Sequence, residues 1–315
     1  MTAFPRTDPV LWGLVATIKA PAEDILRFAA HHLDLGAHRL HIFLDEPNPV
    51  AHAALKAHPK CRVFTCDAAY WRRLDRKRPD KHQLRQGINA SFAYGRESRA
   101  GWLIHIDVDE YLWPEAPVAE ILADLPASVL CARTRPVEAL AGDGTLYKAF
   151  LPPGPDREAK VERLYPTFGR YVKGGFLSHL AGKLFVRTGL GPLTVRIHNV
   201  FRGEEMNPGE TELSRMVLCH RHAKDWDDWI AAFRYRLDHG AYRAELASAA
   251  PGGGMTLHQM LSFVAETEGE AGLRAFHDEI CAASPDLVGR LSQAGMLLRC
   301  DLDLDAKRLK HFPQL

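Results

Sequence analysis

Residues Trp102 to Trp113 read WLIHIDVDEYLW, an apolar run that stops at two aspartates, and this stretch decides the fold. The run Trp102, Leu103, Ile104, His105, Ile106 has the character of a central parallel strand covered on both faces. Open α/β sheets bind their ligands outside the carboxyl ends of such strands. If the backbone stays extended for three more residues, side chains at i and i+2 project to one face, so Asp107 and Asp109 can approach one divalent cation. Carboxylate oxygens beside a phosphate suit a hard cation. Other closely spaced aspartates lack this setting. Asp225 and Asp227 lie in KDWDDW, which reads as a helix start with acids near the positive end of the dipole, and Asp301, Asp303 and Asp305 have no buried strand feeding them.

Working outward, Leu11 to Ile18 reads as a buried strand and Pro21 to Leu35 as a helix that Gly36 stops. Arg39 to Leu44 is a second strand, Val50 to His58 a short helix and Arg62 to Thr65 a third strand. Lys81 to Tyr94 is a longer helix with Leu84, Ile88 and Phe92 on one stripe. Strands alternating with helices over residues 11 to 134 predict a mostly parallel, Rossmann-like α/β sheet with right-handed crossovers. Beyond Val129 to Thr134 the chain is rich in Gly and Pro to position 210, with short apolar runs at Lys183 to Arg187 and Leu193 to Ile197, which read as loops and small strands around a cleft.

From Asp225 the pattern is helical, with Trp226, Trp229, Ile230, Phe233 and Leu237 on one stripe. Pro251 to Gly254 reads as a linker, and Thr256 to Glu266 and Glu270 to Ala283 as further helices. These patterns predict a sheet domain over 1–224 and a C-terminal helical appendage over 225–315. The tryptophan stripe either packs on the catalytic domain or joins two copies in a homodimer.

The chain has 315 residues, 46% hydrophobic and 25% charged, enough for one large α/β domain with an appendage. Lys and Arg total 40 against 39 Asp and Glu, so no chain-wide charge signature of nucleic-acid binding is present. Six cysteines without a C-x-x-C pair suggest neither a disulfide framework nor a structural zinc site, and a reducing cytoplasm is the simplest location. Cys219, His220 and His222 lack the second half-site that zinc needs. No stretch has the pattern of a signal peptide or of a membrane span, which leaves peripheral membrane association as the membrane option.

The segment Asp107 to Leu112 is D-V-D-E-Y-L. Upstream, Gln86 and Asn89 lie in KHQLRQGINASFAYG, and downstream come SHLAGKLF, His198 in VRIHNV and His220 in VLCHRH. With these motifs, spread over about residues 11 to 224, the chain resembles glycosyltransferases of the GT-A fold, in the bacterial family 2-like group marked by D-V-D-E-[FY]-L. It departs where such enzymes often carry Lys-Asn-Glu after the first strand, since here the residues are Lys19, Ala20 and Pro21.

The resemblance implies a nucleotide-sugar donor, a UDP-sugar first, and a glycan or lipid-linked acceptor. It implies Mn²⁺ or Mg²⁺ held by Asp107 and Asp109, with His220 or His198 completing the shell. Lys183 is then expected near the diphosphate, Asp45 near the base or ribose, and Lys19, Gln86 and Asn89 along the donor. Breaking the bond from the anomeric carbon to phosphate leaves a diphosphate of rising negative charge, which explains a metal and a lysine there. An inverting transfer also needs a general base, for which His179 is the first candidate and Glu110, Glu138 and Glu205 are carboxylate alternatives. Two other classes compete. A metal-dependent phosphohydrolase or nucleotidyltransferase would carry its Asp or its Gly-rich basic loop after the first strand, where VATIKAP has neither. A catalytically silent glycan- or nucleotide-binding module of the same fold is the other.

Overall fold

The computed structural model describes residues 10–97, 99–222, 224–249 and 253–314. The chain forms two compact units. One gathers the chain up to Arg135, Gly182–Leu218 and the segment from Leu302 onward; the other consists of Pro136–Ala181 and Cys219–Asp301.

In the first unit, apolar β-rich runs form β1 (Trp12–Ile18), β2 (Arg39–Leu44), β3 (Cys61–Thr65) and β4 (Trp102–His105). They lie in the order β3-β2-β1-β4, all parallel, with Val15 opposite His105 and Ile18 opposite Leu44. The sheet continues through Lys183–Arg187, antiparallel to β4, and then through the first residues of Cys131–Ala139. The fold is therefore α/β with a parallel core, as the alternating pattern predicts. The first helix is Ala22–Asp34, with Glu23 and Asp24 in its first turn and Gly36 beyond it at φ +90°, a left-handed turn that glycine makes without strain. A helix the sequence reading did not anticipate, Ala68–Arg73, begins at Asp67, whose side chain accepts from Tyr70 N.

One local expectation is corrected. The chain does not stay extended through D-V-D: β4 ends at His105, Val108 and Asp109 form a turn, and Glu110 N donates to Asp107 O at 3.1 Å. The buried Glu110 side chain closes this turn by accepting from Asp107 N at 2.9 Å, so the same-face rule for strands does not apply to the two aspartates. On the helix His82–Arg96 the stripe Leu84, Ile88, Phe92 is inward only in part: Ile88 and Phe92 pack, half-buried, on the core that holds Phe43 and Tyr70. Leu84 is 56% exposed, whereas Arg85, Gln86, Asn89, Ala90 and Ala93 are buried. The inward polar residues are tolerated because each is hydrogen-bonded.

His31 and His32 are fully buried, and Leu112 O and Phe28 O lie 2.8 Å from a ring nitrogen of each. Burial, reinforced by the Lys307 ammonium, pushes His31 down to about 4. Its folded value lies below its unfolded one, so the associated stability is complete above pH 6.5 and is lost as the pH falls toward 4. The loss expected from His31 is on the order of 3 kcal/mol. Urea midpoints at pH 7 and pH 4.5 measure it, and His31→Gln should flatten the difference; an unchanged slope would contradict this origin.

Helices outweigh strands in the second unit. Its strands are the end of Cys131–Ala139, where Glu138 and Ala139 pair with Leu146–Lys148, and Leu297–Arg299 beyond that. The stripe Trp226, Trp229, Phe233 is 9%, 0% and 6% exposed and packs on Tyr242 and Phe276 of the same unit, which leaves it no surface for joining two copies. Of the expected linker, Pro251 and Gly252 lie outside the described residues, and Gly253 and Gly254 are irregular with positive φ.

Candidate active site

The strand order reverses beside β1: the chain passes from β1 to β2 and β3 on one side, then returns to β4 on the other. Parallel sheets open a crevice at such a point, outside the carboxyl ends of the strands. Lys19 follows β1, Asp45 follows β2 and Asp107 follows β4 by two residues, so sequence position alone delivers three candidates to this edge.

The most tightly built part centres on Asp107. The antiparallel register that sets Ile104 opposite Phe185 carries Lys183 to the level of Ile106, and Lys183 Nζ reaches Asp107 Oδ2 at 2.6 Å and Glu110 Oε2 at 3.3 Å. Gln86 Nε2 donates to the other Asp107 oxygen. Lys183 and Glu110 are both 0% exposed. Burial alone would lower the Lys183 pKa, but Asp107 and Glu110 outweigh it and hold the ammonium protonated. Burial likewise opposes ionisation of Asp107, and Lys183 reverses that. His105, buried and near the same ammonium, is pushed down to about 4 and is neutral at neutral pH. Gly182 makes the approach possible: at φ +70°, a Cβ there would stand 2.1 Å from Thr134 O.

One lysine against the carboxylates of Asp107 and Glu110 leaves the cluster net negative, and Asp109 stands half-buried on the turn between them. Each Asp107 oxygen accepts one hydrogen bond and keeps another lone pair. An all-oxygen, net negative donor set fits a hard divalent cation such as Mg²⁺ or Mn²⁺.

The remaining candidates separate into different environments. Asp45 is 4% exposed, and both of its oxygens are occupied: Arg85 grips it at 2.7–3.0 Å, with Arg78 at 3.1 Å and His82 at 3.2 Å. Burial works against its charge, yet hydrogen bonds from His82 and Arg85 keep its carboxyl well below the usual range. Asn89 is 0% exposed and spends its amide on Thr17, Tyr70 and Cys66. Lys19 sits at the surface in an ion pair with Glu46 at 2.6 Å. His198 lies in the first unit with Nδ1 2.9 Å from Gly182 O, and Glu205 pairs with Arg202 on an exposed hairpin.

In the second unit His179 and His220 place their rings 5.3 Å apart, with His222 5.7 Å from His220. Glu138 is bound to Lys148 at 2.6 Å and accepts from Leu177 N at 3.2 Å and Ser178 N at 2.7 Å, so it fixes the segment that carries His179. Burial opposes its ionisation, but Lys148 and then His222 bring it down to about 2.

Sequence reasoning missed the Arg78, His82, Arg85 cage and the role of Glu110 as turn closer and Lys183 partner. Arg85, Gln86 and Asn89 at i, i+1 and i+4 share a helix face next to the apolar stripe, and that second periodicity was the available signal.

Glu138→Gln should cost about 3 kcal/mol or more, because it strands the buried Lys148 charge. Denaturant midpoints measure this, and a loss under about 1 kcal/mol would show the pair to be solvated.

No protein-family model matches the chain, and no curated protein sequence matches it. Solved structures that are similar to it at low identity include the following three. A crystal structure of HddC from Yersinia pseudotuberculosis is 9% identical over 71% of this chain and 99% of its own, with a TM-score of 0.37. The bifunctional glycosyltransferase WbbM in its apo form is 14% identical over 59% of this chain and 32% of its own, with a TM-score of 0.29. GalNAc-T7, crystallised with UDP, GalNAc and Mn²⁺, is 12% identical over 97% of this chain and 59% of its own, with a TM-score of 0.37.

Proposed function

We propose that the chain is a metal-dependent glycosyltransferase that moves a sugar from a nucleotide-sugar donor, a UDP-sugar first, to a hydroxyl acceptor with inversion. The observation that supports it most is the Asp107 knot: a net negative, oxygen-rich cluster with a buried lysine, at the carboxyl end of the strand beside the order reversal. The D-V-D-E-Y-L resemblance points the same way.

Asp107 and Asp109 would hold Mn²⁺ or Mg²⁺, with His220 or His198 as a further ligand. When bound, the metal supplies Lewis-acid neutralisation of the departing diphosphate. Lys183 adds a fixed positive charge held in place by Asp107 and Glu110, Gln86 orients Asp107, and Glu110 sets the turn. The acceptor oxygen attacks the anomeric carbon, the bond to the phosphate oxygen breaks, and the hydroxyl proton passes to a base, for which His179 is the choice. Asp45 and Asn89, both committed to protein partners, support the donor pocket from behind.

The phosphohydrolase reading is less well supported, because β1 ends in Thr17 and Ile18 without an aspartate, and Asp45 is caged by cations. Thermal shift against a panel of nucleotide sugars, with and without Mn²⁺, tests the proposal. At a hundred times Kd the cognate donor should stabilise the protein by about 2.7 kcal/mol. A panel with no metal-dependent shift would overturn the reading; a shift without release of nucleoside diphosphate would favour a silent binding module.

A further inference from the structure

One flank of the helix His82–Arg96 is a groove wall. Leu84 is 56% exposed, and together with Leu74, Ile88 and Phe92 it faces the segment Leu193–Asn199 across a groove of about 920 Å³, the upper range for pockets that hold organic ligands. These residues all belong to the first unit.

Charge is distributed unevenly around the groove. Residues 72–85 hold seven Lys and Arg against two Asp, in a chain whose net charge is +1. Arg78 and Arg85 are spent on Asp45, but Arg72, Arg73, Arg76, Lys77 and Lys81 are exposed, and Arg76 lines the groove itself. On the facing segment, Arg196 lines it too, its guanidinium 4.5 Å from the Phe201 ring centre. The groove includes His198, whose ring is bonded to Gly182 O, one residue before Lys183.

We propose that this groove binds a single-chain anionic amphiphile, an isoprenyl or acyl phosphate, with the chain along Leu84, Ile88 and Phe92 and the phosphate at the arginine rim. An apolar trough favours a hydrocarbon chain through buried area, and a cationic rim selects phosphate over a neutral head group. A concave trough suits one chain rather than the flat face of a bilayer. That the bound lipid phosphate is the sugar acceptor rests on the glycosyltransferase reading; the binding itself does not.

The test is calorimetric titration of the full chain with farnesyl phosphate below its micellar concentration, without metal or nucleotide, alongside farnesol and inorganic phosphate. Farnesyl phosphate should bind saturably and at least about tenfold more tightly than farnesol, and inorganic phosphate should not register. Leu84→Asp, at an exposed position, should weaken binding roughly tenfold with an unchanged melting temperature, and Arg76→Glu should weaken farnesyl phosphate but not farnesol. No saturable binding, or binding indifferent to both variants, overturns the proposal. So does binding to phosphatidylglycerol vesicles alone, or a concentration-dependent dimer that Leu84→Asp abolishes. Metal-dependent nucleotide-sugar binding, measured on the same preparation, fails or survives separately.

Discussion

Replacing Lys183 with methionine is expected to cost about 3–5 kcal/mol, because the substitution leaves Glu110, 0% exposed, and Asp107 as facing carboxylates without their cation. The loss should appear as a lower denaturant midpoint with an unchanged slope. Adding Glu110→Gln should recover part of it, since the pair and not the lysine alone sets the energy. A cost below about 1 kcal/mol in the single variant would mean that water already screens the site. The same variant speaks to function. If the ammonium also faces the departing diphosphate, turnover at a temperature where the variant is folded should fall further than donor affinity.

Asp107→Ala and Asp109→Ala should each reduce Mn²⁺-dependent UDP binding by about a hundredfold or more, since each removes a carboxylate from a small oxygen donor set. The two should differ in stability. Asp107→Ala also leaves Lys183 with Glu110 alone and frees Gln86, so it should lower the melting temperature, whereas Asp109→Ala should not. Calorimetry with UDP, with and without Mn²⁺, reads the first effect and thermal denaturation the second. Retained metal-dependent affinity in both variants would remove the metal from this turn.

Much of the α/β frame is legible from local pattern. The runs at Trp12–Ile18, Arg39–Leu44 and Trp102–His105 are apolar on both faces, as strands covered by helices must be, and Gly36 marks the first helix stop. The failures come from side chains acting at a distance. Extended backbone through Asp109 was the reasonable expectation until Glu110, three residues on, is seen to fold back and cap the Asp107 amide. On His82–Arg96 the apolar stripe Leu84, Ile88, Phe92 is legible, but it does not reveal that Arg85 and Asn89 beside it are drawn inward by Asp45 and Thr17, neither of which is near them in sequence. The pairing of Lys183 with Asp107 depends on strand register across 76 residues of separation, which no local pattern encodes.

The carboxylate of Glu138 has a consequence for time scales. Leu177 and Ser178 lie in an irregular segment, where amide protons commonly exchange with solvent within seconds to minutes, yet both N–H groups end on a carboxylate that is itself buried against Lys148. Opening that segment means exposing an ion pair, so its deuterium uptake should follow the helical part of the unit and lag far behind other loops. The histidine it carries is then presented by a stretch of chain that is irregular in shape but slow in motion.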